Sequence, residues 1–303
     1  MRVPRHRVAA VLLPVLFALA GVGAPAHATQ PTPVLVWQVG GFASPESVVY
    51  DRARDRFYVS NMATRGDTAT PGDGFISRLD AQGNITELKW VTGLQSPKGL
   101  ALANGRLYVG DDDALVEIDP DSARIVARHA PADGGPGQFN DATADADGNV
   151  YVFSRRLDTV FRLADGTFAP WVKVDTNLTG KFNGVRADGD RLLLGSWQVP
   201  GADGEQLGHL TTIDLATGAI GRIGSTPIGH IDGIEPDGRG AWTVTDFTHG
   251  LLLHIDAQGE PERLLTLVKG SADHTYLADR QLLLIPFVLD DVLRAYRWAP
   301  AAD

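Results

Sequence analysis

Six short segments of this chain each open with a polar side chain that could bind a metal ion or take part in acid–base chemistry. Overlaying the segments puts these side chains at one equivalent position: Glu46, Lys98, Asn140, Asn183, Asp232 and either Asp273 or His274. Carboxylate and amide oxygens are the donors that Ca²⁺ and Mg²⁺ prefer, and Zn²⁺ or Mn²⁺ can use the same set. The residue types therefore predict a site for one divalent cation and leave its identity open.

The same residue types also have a purely conformational explanation. Asn and Asp initiate turns because their side chains hydrogen-bond to the nearby backbone. Each asparagine taken singly is thus explained equally well by a turn and by a ligand. Glu46 is not a turn former, so its presence at this position favours the ligand set.

The polar residues belong to a repeated unit. The openings read PESVVYD from Pro45, PKGLALA from Pro97, FNDATAD from Phe139, FNGVRAD from Phe182, IDGIEPD from Ile231 and ADHTYLAD from Ala272. They recur at intervals of roughly 40 to 50 residues, which is the length of propeller blades with about four strands each. The repeat predicts an all-β fold, a six-bladed β-propeller, with the polar residues at the start of the innermost strands.

Strand and turn patterns support this interpretation. Apolar residues alternate with polar ones at period two between D-G and similar turns, as expected for antiparallel hairpins. The last unit lacks an outer strand, and residues 34–39 after the N-terminal segment are predicted to supply it and close the ring. The Gly- and Pro-rich stretches 64–74, 130–137 and 198–208 are predicted to be loops at the faces of the disc.

The repeat openings resemble those of a known family. PESVVYD, FNDATADADGNVY, FNGV and IDGIEPDGRGAW are similar to blade starts of the senescence-marker-protein-30/gluconolactonase family of six-bladed propellers. The ending SADHTYLADRQLLLIPFVLDDVLRAYRW resembles the last blade of its bacterial members, so the resemblance covers roughly residues 35–298. It implies a single divalent metal held by Glu46, Asn183 and Asp232, with Asn140 close by. It also implies Asp232 as the general base.

Two features differ from the best-studied lactonases of that family. Glu46 lies in Pro-Glu-Ser, where those enzymes have Glu-Gly-Pro, and Lys98 joins the ring of polar residues. A lysine beside a cation could weaken metal binding, or it could hold an anionic substrate.

Other polar and aromatic residues near the blade starts have two interpretations each. His230 and His274 could shuttle a proton, since histidine titrates near neutrality, but we interpret each as a polar rim residue. Trp197, Trp242 and Phe247 could line the mouth and stack on a sugar-like ring, and core packing between blades is the alternative for most of them.

Composition and the N-terminus restrict the class of protein. The 303 residues carry a formal charge of −10, which argues against nucleic-acid binding because phosphate contacts need a basic face. Arg2, Arg5 and Arg7 precede an apolar stretch and an Ala-His-Ala motif, as in a secretory signal peptide cleaved after Ala28, and this stretch is too short to span a membrane. The chain has no cysteine. We therefore expect a signal peptide over residues 1–28, one propeller domain over 29–303, and a periplasmic or secreted location.

Two functions remain open from the sequence. The first is a metal-dependent lactone or ester hydrolase, in which the cation polarises the carbonyl of a small-molecule substrate and Asp232 accepts a proton. Asn140 would donate a hydrogen bond to the developing oxyanion, and Lys98 would complete the catalytic group. The second is a non-catalytic propeller of the cell envelope that binds a ligand or a protein, because propellers host many functions.

Overall fold

The strands form six separate antiparallel sheets, which are the blades of a propeller. The computed structural model describes residues 29–63, 70–201 and 204–301. Within these residues five sheets have four strands and the fourth blade has five, so the predicted all-β, six-bladed fold is confirmed. The predicted signal peptide lies outside the described residues. No helix in the described part of the chain is long and apolar enough to cross a bilayer.

The strand bounds follow the repeat. The first strand, β1 (Val34–Gly40), belongs to the last blade. Blade 1 contains β2 (Pro45–Asp51), β3 (Arg56–Asn61), β4 (Gly74–Asp80) and β5 (Ile85–Leu94). Blade 2 contains β6 (Leu100–Ala103), β7 (Arg106–Gly110), β8 (Leu115–Asp119) and β9 (Arg124–His129). Blade 3 contains β10 (Phe139–Ala144), β11 (Val150–Ser154), β12 (Thr159–Ala164) and β13 (Thr167–Lys173).

A single helical turn, α1 (Thr176–Thr179), separates the third blade from the fourth. Blade 4 contains β14 (Lys181–Asp188), β15 (Arg191–Gly201), β16 (Gly204–Leu207), β17 (Leu210–Asp214) and β18 (Ile220–Ile223). Blade 5 contains β19 (Ile231–Pro236), β20 (Trp242–Asp246), β21 (Leu251–Ile255) and β22 (Pro261–Thr266). Blade 6 combines β1 with β23 (Thr275–Leu277), β24 (Leu282–Phe287) and β25 (Val292–Arg297).

Both ends of the described chain close the ring within blade 6. The sheet order is β1-β25-β24-β23, so the N-terminal strand pairs antiparallel with the last strand, from Val34 opposite Arg297 to Gly40 opposite Val292. This confirms the predicted closure. Leu284 and Leu293 of this blade are fully buried against Phe57 of the first blade, so the joint is also an apolar contact.

The innermost strands carry a β-bulge at the same place in four blades. In β2, β10, β14 and β19 the pairing register shifts just where the polar opening residue lies, because two residues of the inner strand lie opposite one residue of the partner strand. A bulge re-aims side chains and breaks their strict alternation. Two consecutive residues of each of these strands therefore lie beside the propeller axis.

Glycine allows the inner strands to approach closely at the bulges. A Cβ atom on Gly184 would lie 2.1 Å from the carbonyl oxygen of Asp232, and one on Gly233 would lie 2.5 Å from Nδ1 of His274. Neither position has room for a side chain. The bulge glycines thus narrow the channel and fix the distance between neighbouring polar residues.

Two details differ from the sequence-based predictions. Residues 198–208 are not simply a loop, because β15 runs on to Gly201 and pairs with β16 in a hairpin that extends the blade. Strands β6 and β23 begin two residues after Lys98 and Asp273, which therefore precede their strands. The backbone of Lys98 still donates to the carbonyl of Gly110 at 2.8 Å, so the strand geometry continues.

Candidate metal centre

The predicted ring residues meet in one cavity on the propeller axis. The cavity has a volume of about 330 Å³ and contains all five ring positions from the first five blades: Glu46, Lys98, Asn140, Asn183 and Asp232. Four of the five are at most 7% exposed and Lys98 is half-buried. The inner strands thus bring together residues that lie almost 190 positions apart in the chain.

Several oxygens of this ring have no hydrogen-bond donor among the described residues. They are Oε2 of Glu46, Oδ1 of Asn140 and Oδ1 of Asp232, and all three are buried. A buried oxygen without a partner loses its hydration and gains nothing in return. A hard divalent cation would satisfy all three, so the donor set fits the metal that the resemblance implies.

Two side-chain amides connect the ring. Nδ2 of Asn140 donates to Oδ1 of Asn183, and Asn183 in turn hydrogen-bonds to Asp232. One amide hydrogen of Asn140 is therefore engaged, and its unpartnered Oδ1 is available as a metal ligand.

Asp141 is a member of the site that the sequence analysis missed. Both of its carboxylate oxygens are buried, and neither has a hydrogen-bond partner in the part of the chain that the structure describes. One oxygen from each of Glu46, Asp141 and Asp232 lies within 4.8 Å of the other two. Strict strand alternation would point Asp141 away from Asn140, and only the bulge turns both towards the axis. An acidic residue directly after a ring asparagine is the signal that could have indicated it.

Burial and mutual repulsion disfavour the ionised forms of these acids. Burial raises the pKa of Glu46 well above its ordinary value, and the nearby charges of Asp232 and Asp273 add to the effect, while Lys98 opposes it. The pKa values of Asp141 and Asp232 are raised for the same reasons, burial first and then the neighbouring acids. A bound dication would reverse this balance by stabilising the carboxylates.

The sixth blade contributes residues below the ring. Asp273 and His274 line a second cavity of about 10 Å³, large enough for about one water molecule. Ser47 donates to Oδ2 of Asp273 at 2.6 Å. Burial raises the pKa of Asp273 to about 6 despite this hydrogen bond.

His274 is buried and does not lie on the rim. It is 1% exposed, and its Nε2 lies 2.8 Å from the hydroxyl of Thr243. Burial and the positive charge of Arg186 lower its pKa to about 3, so the ring is neutral. The interpretation as a rim residue is therefore wrong, because the space left by Gly233 lets the imidazole turn inward.

Lys98 and Arg155 bring positive charge to the cavity wall. Nζ of Lys98 donates to the carbonyl and the hydroxyl of Ser96 at 3.1 and 3.3 Å. The positive charge of the exposed Arg155 opposes the rise in the pKa of Asp232. Neither forms an ion pair within 4 Å in the described structure. Both are placed to contact an anionic group in the cavity.

Two of the three aromatic residues near the blade starts line the cavity, and the third lies in the core. Trp197 and Phe247 line the cavity, and their ring centroids lie 5.4 Å apart. Trp242 is 2% exposed and belongs to the core between blades, where its Nε1 donates to Asp188 at 3.1 Å. One side of the cavity is thus aromatic and the floor is acidic.

Solved structures of the same architecture exist. A gluconolactonase from Xanthomonas campestris, described as important in glucose secondary metabolic pathways, matches with a TM-score of 0.67 at 16% identity, covering 91% of this chain and 99% of that chain. The chain has the gluconolactonase fold. A putative gluconolactonase matches at 0.63 with 16% identity over 88% and 92% of the two chains. Virginiamycin B lyase from Staphylococcus aureus matches at 0.59 with 12% identity over 86% and 98%.

The likeness extends over the whole propeller. The resemblance predicted from the blade openings is confirmed at the level of fold, and at these identities the comparison concerns the fold alone. No protein-family profile and no curated protein sequence matches this chain. A propeller fold by itself does not determine function, which depends on the residues of the site.

Proposed function

We propose that this protein is a divalent-cation-dependent hydrolase of the senescence-marker-protein-30/gluconolactonase type, acting on a sugar lactone or a related ester. The observation that supports it most is the set of buried, unpartnered oxygens of Glu46, Asn140 and Asp232 at the floor of a cavity. An arrangement that only shaped turns would leave no reason to bury three such acceptors.

The residues have distinct roles in this proposal. Glu46, Asn140, Asn183 and Asp232 would hold the cation. The cation would supply a Lewis acid for the substrate carbonyl. Asp232 would also act as the general base and accept a proton from the attacking water. Trp197 and Phe247 would hold the ring of the substrate and exclude water from one side.

The charges on the wall indicate which substrates to test. Lys98 and Arg155 offer two positive charges that form no ion pair within 4 Å with any carboxylate of the described residues. A substrate that carries a carboxylate would meet them, and we therefore propose that acidic lactones are turned over better than neutral ones of the same ring size.

The test is a panel of neutral and acidic aldonolactones and aryl esters, assayed with Ca²⁺, Zn²⁺, Mn²⁺ or Mg²⁺ and with EDTA. Asp232→Asn should lower kcat at least about 100-fold, because a positioned base contributes about 10²–10⁴. The matched control is Asp145→Asn, which changes an acid in a hairpin turn outside the cavity and leaves a residue that the turn accepts. Both variants should keep the β-sheet circular dichroism spectrum.

Three results would contradict the proposal in different ways. Unchanged turnover in Asp232→Asn would show that Asp232 is not the general base. Turnover that persists in EDTA after dialysis would show that hydrolysis does not depend on a metal ion. A bound cation with no hydrolysis across the panel would favour the non-catalytic binding propeller.

We also propose that the chain is exported by residues 1–28 and acts in the periplasm or outside the cell. The expected mature protein begins at Thr29. Mass spectrometry of the protein from the culture medium and the periplasm checks this, and an intact N-terminus at Met1 would contradict it.

A further inference from the structure

A second group of possible metal ligands lies outside the ring, at the start and end of strands in blade 5. His230 directly precedes β19, Asp246 ends β20, and His249 follows three residues later. The backbone of Phe247 donates to the carbonyl of His230 at 3.1 Å, which ties the two segments together. The three side chains are therefore held on one face of the blade by the fold itself.

The carboxylate of Asp246 is fixed in position. It is 1% exposed, and its Oδ1 accepts from the backbone nitrogens of Thr248 and His249 at 3.1 and 3.0 Å. Its Oδ2 lies 2.7 Å from Nδ1 of His249. Gly229 allows this approach, since a Cβ atom there would lie 2.4 Å from Oδ2.

His230 faces this carboxylate without bonding to it. Its Nδ1 is buried and has no hydrogen-bond partner among the described residues, and it lies 3.9 Å from Oδ1 of Asp246. The separation is too long for a hydrogen bond. Trp197 packs edge-on against the imidazole with centroids 5.5 Å apart, which limits its rotation. The gap between nitrogen and carboxylate is thus maintained by packing.

We propose that His230, Asp246 and His249 bind a transition-metal dication of the Zn²⁺ class. One ligand atom from each residue lies within 4.8 Å of the other two. Two imidazole nitrogens and one carboxylate are a donor set that suits Zn²⁺, whereas the ring on the axis offers oxygens. The group is therefore a separate site with its own selectivity.

Small movements suffice to form the site. Bonds of about 2.1 Å in a tetrahedral arrangement separate ligand atoms by about 3.4 Å. His230 must move closer to Asp246, and His249 must move away from it and give up the proton on Nδ1. The side chain of His249 is 49% exposed, so it is free to do so. Three protein ligands leave a fourth position for water or for a group of a substrate.

The experiment measures Zn²⁺ binding by calorimetry on the full chain and Co²⁺ binding by visible absorption. The histidine variants are made in the Asp232→Asn protein, because this change weakens metal binding at the axis. The remaining Zn²⁺ binding can then be assigned to the second site. His230→Gln and His249→Gln should each weaken Zn²⁺ binding at least about tenfold and abolish the intense absorption of four-coordinate Co²⁺. The matched control is His129→Gln, since His129 lies 3.4 Å from Glu117 and, in the described structure, has no second histidine beside it.

Each outcome decides the proposal. Loss in both histidine variants with the control unchanged supports the site. Equal Zn²⁺ binding in all variants overturns it, and so does loss of all Zn²⁺ binding in Asp232→Asn alone, which would assign the metal to the axis. The readout does not depend on hydrolysis, so the proposed function and this site can fail separately.

Discussion

At the scale of single residues, the site is a concentration of buried acids. Glu46, Asp141 and Asp232 share one space, and Asp273 lies beneath them. The basic side chains on the cavity wall form no close ion pair with these acids in the described structure: Lys98 donates to Ser96, and Arg155 is exposed. A protein that buries this many carboxyl groups either keeps them protonated or binds a cation.

This arrangement predicts how stability depends on pH and on metal. Burial raises the pKa of Asp273 to about 6 and that of Glu235 to about 8, and it raises those of the three acids at the ring. A raised folded-state pKa means that the folded state holds protons that the unfolded state releases. The contribution of these acids to the stability of the cation-free protein should therefore be fully present below about pH 4 and be lost as pH rises towards about pH 8. The melting temperature in EDTA should drop between about pH 5 and pH 8, and saturating Ca²⁺ or Zn²⁺ should reduce that drop.

Surface acids provide the internal control for this measurement. Arg106 lowers the pKa of Asp119 to about 2. The stabilising contribution of Asp119 is therefore lost as pH falls below about 4, whereas that of the buried acids is lost as pH rises. Asp119 does not contribute between pH 5 and pH 8. A melting temperature in EDTA that is constant or rises over this range would contradict the picture of uncompensated buried acids.

At the scale of the elements, the repeated bulge is what produces the site. Four inner strands gain one residue at the same position, so two successive side chains face the axis in each. In two of these strands the second residue is a glycine, which lets the next strand approach, and in the other two it is Ser47 or Asp141, a buried polar side chain. The spacing of the ligands is thus a property of strand contacts.

Gly184→Ala tests this role of the strand contact. The new methyl group would meet the backbone of Asp232 at 2.1 Å and force the two strands apart. We expect a loss of about 1–3 kcal/mol in the free energy of unfolding together with weaker cation binding at the axis. Gly40→Ala is the matched control, since its Cβ would meet Val292 at an ordinary 3.6 Å. Cation affinity equal to that of the parent in Gly184→Ala would show that the spacing does not depend on this contact.

At the scale of the whole molecule, closure of the ring holds all six blades at their distances from the axis. The pairing of β1 with β25 joins the two ends of the described chain. Buried apolar residues of the sixth and first blades then pack across the joint. A ring opened at this joint would let the inner strands separate and the ligands with them.

Leu293→Ala tests the closure. Its side chain is fully buried at the joint, and its removal should lower the free energy of unfolding by about 2–5 kcal/mol in chemical denaturation. Val36→Ala, in the partner strand but 44% exposed, should change it by less than about 0.5 kcal/mol. Equal effects of the two changes would mean that the joint does not carry stability.

The sequence by itself determined the six blades, the strand that closes them, and the ring of Glu46, Asn140, Asn183 and Asp232. Repeats encode these features locally: turn residues, period-two alternation and a polar opening recur at a regular interval. Tertiary structure alone decided that Asp141 joins the acids, that His274 is buried, and that His230 meets Asp246 and His249. These depend on a bulge that breaks alternation, on the room that a glycine leaves in a neighbouring strand, and on contacts between separate segments. None of the three is visible in the pattern of one strand.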